Sequence, residues 1–206
     1  MNASSQTHDR YALSFTSGAL LVHEAAIAAP LYLGLSDWQL VRDRLGAENL
    51  LQARTASSGL RLSREVVQRL SVLTDDELEL LIEASSIERG YLMWIAACRR
   101  YVFIGDFAKE TVRERFLLLT PTLSYEHFDS FVRGKALWHP ELAALKESTF
   151  KKLRATVFRM LAEAGLIVAN QIVPAVLSER IRGVLEAQKP SDIRFLPARD
   201  SIEATL

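Results

Sequence analysis

The chain has little of several things that small proteins use for chemistry. It has one cysteine, Cys98, set among apolar neighbours from Trp94 onward. An internal disulfide is therefore excluded, and a reducing cytoplasm is the expected compartment. The four histidines, His8, His23, His127 and His139, fall in no metal-ligand spacing, and no Cys-x-x-Cys occurs. No metal and no cofactor are expected. Phosphate-loop, dinucleotide-binding and nucleophile-elbow motifs are missing, so the chain reads as a non-enzyme. Glycine and proline are scarce, at 9 and 6 residues, which favours helix. No long apolar run exists. The longest, Ala25 to Leu35, has 11 residues and contains Pro30 and Gly34, whereas a membrane span needs about 20. The polar start, Met1 to Arg10, does not read as a signal peptide.

Net charge is also missing. Lys plus Arg and Asp plus Glu number 25 each, so the molecule as a whole does not attract a polyanion. Any such attraction must come from local segregation of charge. That segregation is present. Between Arg42 and Arg69 lie six arginines against Asp43, Glu48 and Glu65, and between Asp75 and Glu88 lie six acids and no base. The acids of Thr74-Asp75-Asp76-Glu77 suit a helix start, with capping-box spacing from Thr74 to Glu77.

What is abundant is apolar and helix-forming. Apolar residues make up 49% of the 206, a globular value for a chain that can bury roughly 70% of its unfolded surface. Almost every segment reads as helix. The expected helices cover 17–33 (bent or ended by Pro30), Ser36-capped to Leu45, a short turn at 48–54, Ser63-capped 64–72, Thr74-capped 75–85 and an all-round apolar helix at 88–104. They continue with Asp106 to Leu119, Ser124-capped 125–137, Pro140 to Leu145, a basic helix at 149–164 and a Ser178-capped helix to Gln188. Thr55 to Gly59 reads as a loop. The only strand signal is Val168 to Val173, and the tail from Lys189 is expected to lie across the body or fray. The fold class is all-α, a compact multi-helix bundle. Pro121 is the best hinge, giving an N-terminal bundle (1–120) and a C-terminal helical part (121–206), with a single compact unit as the alternative.

The most informative stretch is Ser148 to Ile167. Five cations and one anion lie between 146 and 159. At about 100° per residue, Phe150, Leu153, Val157, Met160, Leu161 and Ala164 share one face. Lys151, Lys152, Thr156 and Arg159 share the other, and Arg154 is at the border. Ser148 reads as the N-cap and Gly165 as the stop. A rigid cationic face suits a phosphate backbone, and a polar-capped helix ending in Ala-Gly-Leu-Ile suits a helix-turn-helix or winged-helix module. A solvated outer face of a bundle helix is the plainer explanation. The candidate DNA-contacting residues are Lys151, Lys152 and Arg159, with Lys146 and Arg154 at the edges, and Arg61 and Arg64 extending the track.

Several phrases occur together in order. They are Tyr11-x-Leu-Ser-Phe-Thr-x-Gly-Ala-Leu-Leu-x-x-Glu24, Asp37-Trp38-x-x-Val41, Asn49-Leu50-Leu51-Gln52-x-Arg54-Thr55, Arg69-Leu70, Phe107-x-x-Glu110, and the Ser148-Thr149-x-Lys151-x-x-Arg154 segment through Phe158, Met160-Leu161 and Glu163-Ala164-Gly165-Leu166. This set resembles the BrxA family of bacteriophage exclusion (BREX) defence systems over roughly residues 11–185. The resemblance implies an all-helical protein with a NusB-like core and a C-terminal helix-turn-helix-like part. It implies binding to double-stranded DNA without catalysis, among other BREX components, in a system that methylates host DNA and restricts phage. The zero net charge departs from that pattern. Two other readings stay open. One is a protein–protein adaptor, in which Leu20 to Leu35 forms a docking face or homodimer interface. The other is RNA binding, as the NusB likeness suggests.

Overall fold

The computed structural model describes residues 10–199; the polar start 1–9 lies outside them. The chain is helical almost throughout, as expected: α1 (Val22–Leu35), α2 (Trp38–Ala47), α3 (Ala56–Leu70), α4 (Asp75–Glu83) and α5 (Ser86–Arg100). A rod follows, made of α6 (Val102–Phe107), a π-helical turn (Ala108–Arg113) and α7 (Glu114–Leu117). Then come α8 (Tyr125–Lys135), α9 (Pro140–Ala143), α10 (Glu147–Glu163), a hairpin of β1 (Ile167–Val168) and β2 (Gln171–Ile172), α11 (Glu179–Ala187) and a 3₁₀ turn (Asp192–Phe195). Among the described residues no helix is long and apolar enough to cross a membrane.

Helix α5 is the centre. Ser85 caps it in a capping box with Glu88, and every residue from Gly90 to Cys98 is buried. An all-round apolar helix can be stable only when covered on all sides. Helices α1, α3 and α4 pack on it from the N-terminal half, and α10 from the C-terminal half. At Gly90 the backbone of α10 approaches closely, since a Cβ there would lie 3.3 Å from Ala164 Cα. The tail lies across the body: Trp94 Nε1–H donates to the Phe195 carbonyl at 2.8 Å, and Phe195 and Leu196 are buried. One continuous apolar cluster runs from Tyr11 to Ala198, across Pro121.

Several boundaries differ from the sequence expectation, each for a local reason. Thr55 to Gly59 is a helix start rather than a loop, because Thr55 and Ser58 satisfy each other's backbone N–H groups in a capping box. Ser63 therefore lies inside α3, fully buried, and caps nothing. Asp37, not Ser36, caps α2, accepting from the N–H groups of Gln39 and Leu40, while Ser36 ends α1 in the left-handed region at φ 52°. Helix α1 starts at Val22 because Leu21 is left-handed (φ 64°), and Pro30 lies within it without ending it. Lys146, not Ser148, holds the N-cap position of α10.

The expected helix 88–104 breaks at Tyr101, where the backbone becomes extended. Asp106 starts no helix; it lies within the rod and accepts a hydrogen bond from the Tyr11 hydroxyl at 2.7 Å. The corner between α5 and α6 is tight. A Cβ on Gly105 would meet the Cys98 carbonyl oxygen at 2.9 Å and the Phe195 ring at 3.1 Å. Gly105→Ala is therefore expected to destabilise the protein by about 1–3 kcal/mol through overpacking. Urea unfolding followed by circular dichroism measures it, and an unchanged midpoint would mean the corner relaxes freely.

Beyond Pro121 an isolated bridge at Thr122 is followed by α8, α9, α10 and the hairpin. The Ile172 N–H donates to the Pro121 carbonyl (2.7 Å) and the Leu123 N–H to the Asn170 carbonyl (2.8 Å), so residues 121–123 join the hairpin edge. The single expected strand is thus two short ones around Ala169-Asn170. Both turn residues have positive φ, 48° and 60°, the conformation that matches the twist of a tight hairpin. Helix α10 packs against this hairpin, and α9 stands between α8 and α10 in the chain.

Candidate nucleic-acid interface

Helix α10 carries the basic face. Leu153, Val157, Met160 and Leu161 are buried against the core, and Gly165 ends the helix region at φ 70°. The exposed residues are Ser148, Thr149, Lys151, Lys152, Ala155, Arg159 and Ala162, with the acids Glu147 and Glu163 at the two ends. Thr156, expected on the cationic face, is buried instead. The segment from Gly18 to Leu20 runs alongside and is held by three side chains. Arg159 Nη2 donates to the Gly18 carbonyl (3.0 Å), Arg69 Nη1 to the Ala19 carbonyl, and Glu163 accepts the Leu20 N–H (2.7 Å). These contacts tie α10 to α3 across the N-terminal segment.

The tie brings Lys152 onto Arg61. A cleft of about 470 Å³ is lined by Lys152, Arg61 and Arg54, the hydroxyls of Thr16, Ser17 and Ser58, and the Gln52 amide, with no acid in its lining. Among the described residues Arg54, Arg61 and Lys152 make no ion pair and no side-chain hydrogen bond. The neighbouring cations differ. Of the six arginines between 42 and 69, Arg42 lies beside Asp43, Arg44 is paired with Glu48 at 2.9 Å, and Arg69 is fully buried on Glu65. Among the described residues, Arg54, Arg61 and Arg64 of that run have no carboxylate partner. Arg64 is one turn from Arg61 on α3, in a smaller recess of about 300 Å³ beside Arg42 and Asp43. Lys146 is exposed at the start of α10 without a partner.

Two candidates behave otherwise. Lys151 Nζ is 2.6 Å from Glu147, one turn back. That hydrogen bond keeps the Glu147 carboxyl below its usual pKa, but the pair is open to solvent and weakly held. Arg154 is turned inward. Its Nη1 is held by both carboxylate oxygens of Asp129 at 2.8 and 2.7 Å, and its guanidinium lies 4.4 Å over the Tyr125 ring. A cation already paired with a carboxylate and stacked on a ring offers little to a phosphate.

Arg54 is the residue that the candidate set omits. It was counted within the arginine run, but only the fold reveals that it escapes pairing and faces Lys152. The acidic stretch has the structural role expected of it. Thr74 and Glu77 form the capping box, and Glu77, 0% exposed, receives Arg99. His127 accepts the Ser124 N–H at 2.9 Å, so it serves a helix cap. Burial pushes the Cys98 thiol well above its ordinary pKa. Among the described residues no group of His, Cys, Asp and Glu could hold a metal ion.

Residues 9–189 match the BrxA family. The chain is 27% identical to the BREX protein BrxA of Escherichia coli O9:H4 (strain HS) over 73% of this chain and 70% of the relative. It is 28% identical to the BREX protein BrxA of Paramagnetospirillum magneticum (strain ATCC 700264 / AMB-1), over 79% of this chain and 81% of that one. In fold it is similar to the crystal structure of an uncharacterized protein from Magnetospirillum magneticum, with TM-score 0.76, 24% identity, and coverage of 91% and 99% of the two chains. The match takes in the helices on both sides of Pro121 and the residues lining the cleft, and the chain belongs to the BrxA family.

Proposed function

We propose that this protein is a non-catalytic, cytoplasmic, DNA-binding component of a BREX phage-defence system that grips double-stranded DNA through its phosphates. The BREX names of its relatives support the setting. The observation that carries DNA binding is the acid-free cleft where Arg54, Arg61 and Lys152 converge without partners. A neutral protein holds a polyanion only through such a local concentration of charge. Arg159 continues the line along α10, and Arg64 and Lys146 flank it. Lys151 joins by exchanging Glu147 for phosphate. Arg154 joins α10 to α8 through Asp129 and does not meet the backbone.

Four phosphate contacts, from Arg54, Arg61, Lys152 and Arg159, give an expected log–log salt slope of about −3 to −4 for duplex binding. Anisotropy titrations of a labelled duplex across a range of salt concentrations measure it. A slope near zero would remove the phosphate interface. Competition with single-stranded DNA and RNA of the same length separates the DNA reading from an RNA-binding one.

The adaptor reading has one observation of its own. Leu21, Val22, Leu62 and Ile87 line a mostly apolar cleft of about 570 Å³, and Ile87 is 62% exposed. The rest of the Leu20–Leu35 segment is largely spent inside, since Leu20, Ala25, Ala28 and Ala29 are buried. Pull-down of partners before and after nuclease treatment distinguishes the two. Partners retained without nucleic acid would favour the adaptor.

A further inference from the structure

We propose that the groove between α10, the start of α8 and the hairpin is a binding site for one unpaired nucleobase, with Tyr125 as its stacking platform. The proposal rests on the DNA reading above and adds a second kind of contact to it. The groove has a volume of about 650 Å³, within the range of small-ligand sites. Its apolar lining comes from Ala155, Phe158, Ala162 and Ile167, and its polar lining from Arg159, Ser124, Asn170 and one acid, Glu126. This is the mixture a base requires: flat apolar contact for the ring, and a few donors and acceptors at its edge.

Tyr125 sits at the mouth of this groove, 48% exposed. Its ring is not loose. Phe158 packs edge-on at 4.7 Å, and the Arg154 guanidinium lies over it at 4.4 Å, fixed in turn by Asp129. The Tyr125 hydroxyl makes no hydrogen bond among the described residues. An aromatic held rigid yet left open loses little entropy when a planar group stacks on it. Arg154 and Asp129 thereby acquire a positioning role that their distance from the cationic cleft would not suggest.

The two sites are joined by one helix. Lys152, in the cationic cleft, and Arg159, at the groove, are seven residues apart on α10, so about 10 Å separates them along its axis. A strand whose phosphate meets Lys152 reaches Arg159 within a few nucleotides, and a base unstacked there enters the groove beside Tyr125. A protein side chain could fill the same apolar floor. Arg159 and Glu126 offset each other in the lining, so it is the continuity along α10 with the acid-free cleft that favours a nucleotide.

The test compares a perfect duplex with the same duplex carrying one extra, unpaired thymidine, and with a third probe bearing 2-aminopurine at the unpaired position. Stacking on an aromatic side chain contributes enough that the bulged duplex is expected to bind about fivefold or more tighter. The 2-aminopurine fluorescence is expected to be quenched on binding. Tyr125→Leu keeps an apolar cover over Phe158, so the fold should survive, but it is expected to abolish both the preference and the quenching. Tyr125→Phe is expected to retain both. Equal affinity for bulged and perfect duplexes, or quenching that persists in Tyr125→Leu, overturns the base site while leaving duplex binding intact. Failure of every probe to bind would remove the DNA reading and this site together.

Discussion

Reversing two charges, Arg61→Glu together with Lys152→Glu, is expected to lower duplex affinity by about a hundredfold or more. The two side chains line the same cleft and, among the described residues, have no carboxylate to leave behind. Each charge-assisted hydrogen bond to phosphate contributes about 1.5–3 kcal/mol, and the new glutamates add repulsion. Their removal should not harm folding, because both side chains are exposed and unpartnered. The salt slope should fall towards about −2 at the same time. Lys151→Glu is the matched control on the same helix. It reverses a charge already shared with Glu147 and is expected to cost much less. Equal losses for Lys151→Glu and the cleft pair would mean that α10 acts as a diffuse basic surface. Unchanged affinity in the double variant would end the cleft's claim.

The largest expected stability effect is at Arg99, far from that surface. Its guanidinium reaches both oxygens of Glu77, the carboxylate of Asp192 and the Val72 carbonyl. Burial works against its charge, but the hydrogen bonds and attraction of Glu77 and then Asp192 outweigh that and raise its pKa. Arg99→Ala strands Glu77, which is 0% exposed, while Asp192 keeps Arg194 at 3.0 Å. Removing one partner of a buried ion pair typically costs about 3–5 kcal/mol. In a chain of this size that lowers Tm by roughly 6–20 °C. Differential scanning calorimetry gives the number. A loss below about 1 kcal/mol would mean that water enters and solvates Glu77. Arg99→Met with Glu77→Leu should recover part of the loss, because it removes both charges instead of orphaning one.

Helix starts with strong caps were legible in the sequence. Thr74, Ser124 and Ser178 stand at the predicted N-caps of α4, α8 and α11, because a cap is decided by residues three apart. The central burial of α5 was legible for a similar reason: a helix without a polar face has no solvent side. Where two cap candidates lay close together, as with Ser36 beside Asp37 or Thr55 before Ser63, propensity alone chose wrongly. Asp37 wins by accepting two N–H groups, and Thr55 by reciprocal pairing with Ser58.

The candidate interface was only half legible, because charge pairing is a long-range property. Arg154 stood on the border of the basic face in helical projection, and nothing local revealed Asp129, 25 residues away, as its partner. Arg54 and Lys152 are nearly a hundred positions apart in sequence and line one cleft where Arg159, Arg69 and Glu163 hold the Gly18–Leu20 segment between α10 and α3. Periodicity gives the direction in which a side chain points, but not what waits there.

The burial of α5 bears on how the molecule can be dissected. Trp94 is sealed by the C-terminal tail and Gly90 by α10, while α1, α3 and α4 close the opposite sides. Severing the polypeptide at Pro121 would strip one wall from that helix and bare its tryptophan to water. Fragments made there are expected to aggregate, so assigning DNA contacts to either half calls for single-residue changes in the intact protein.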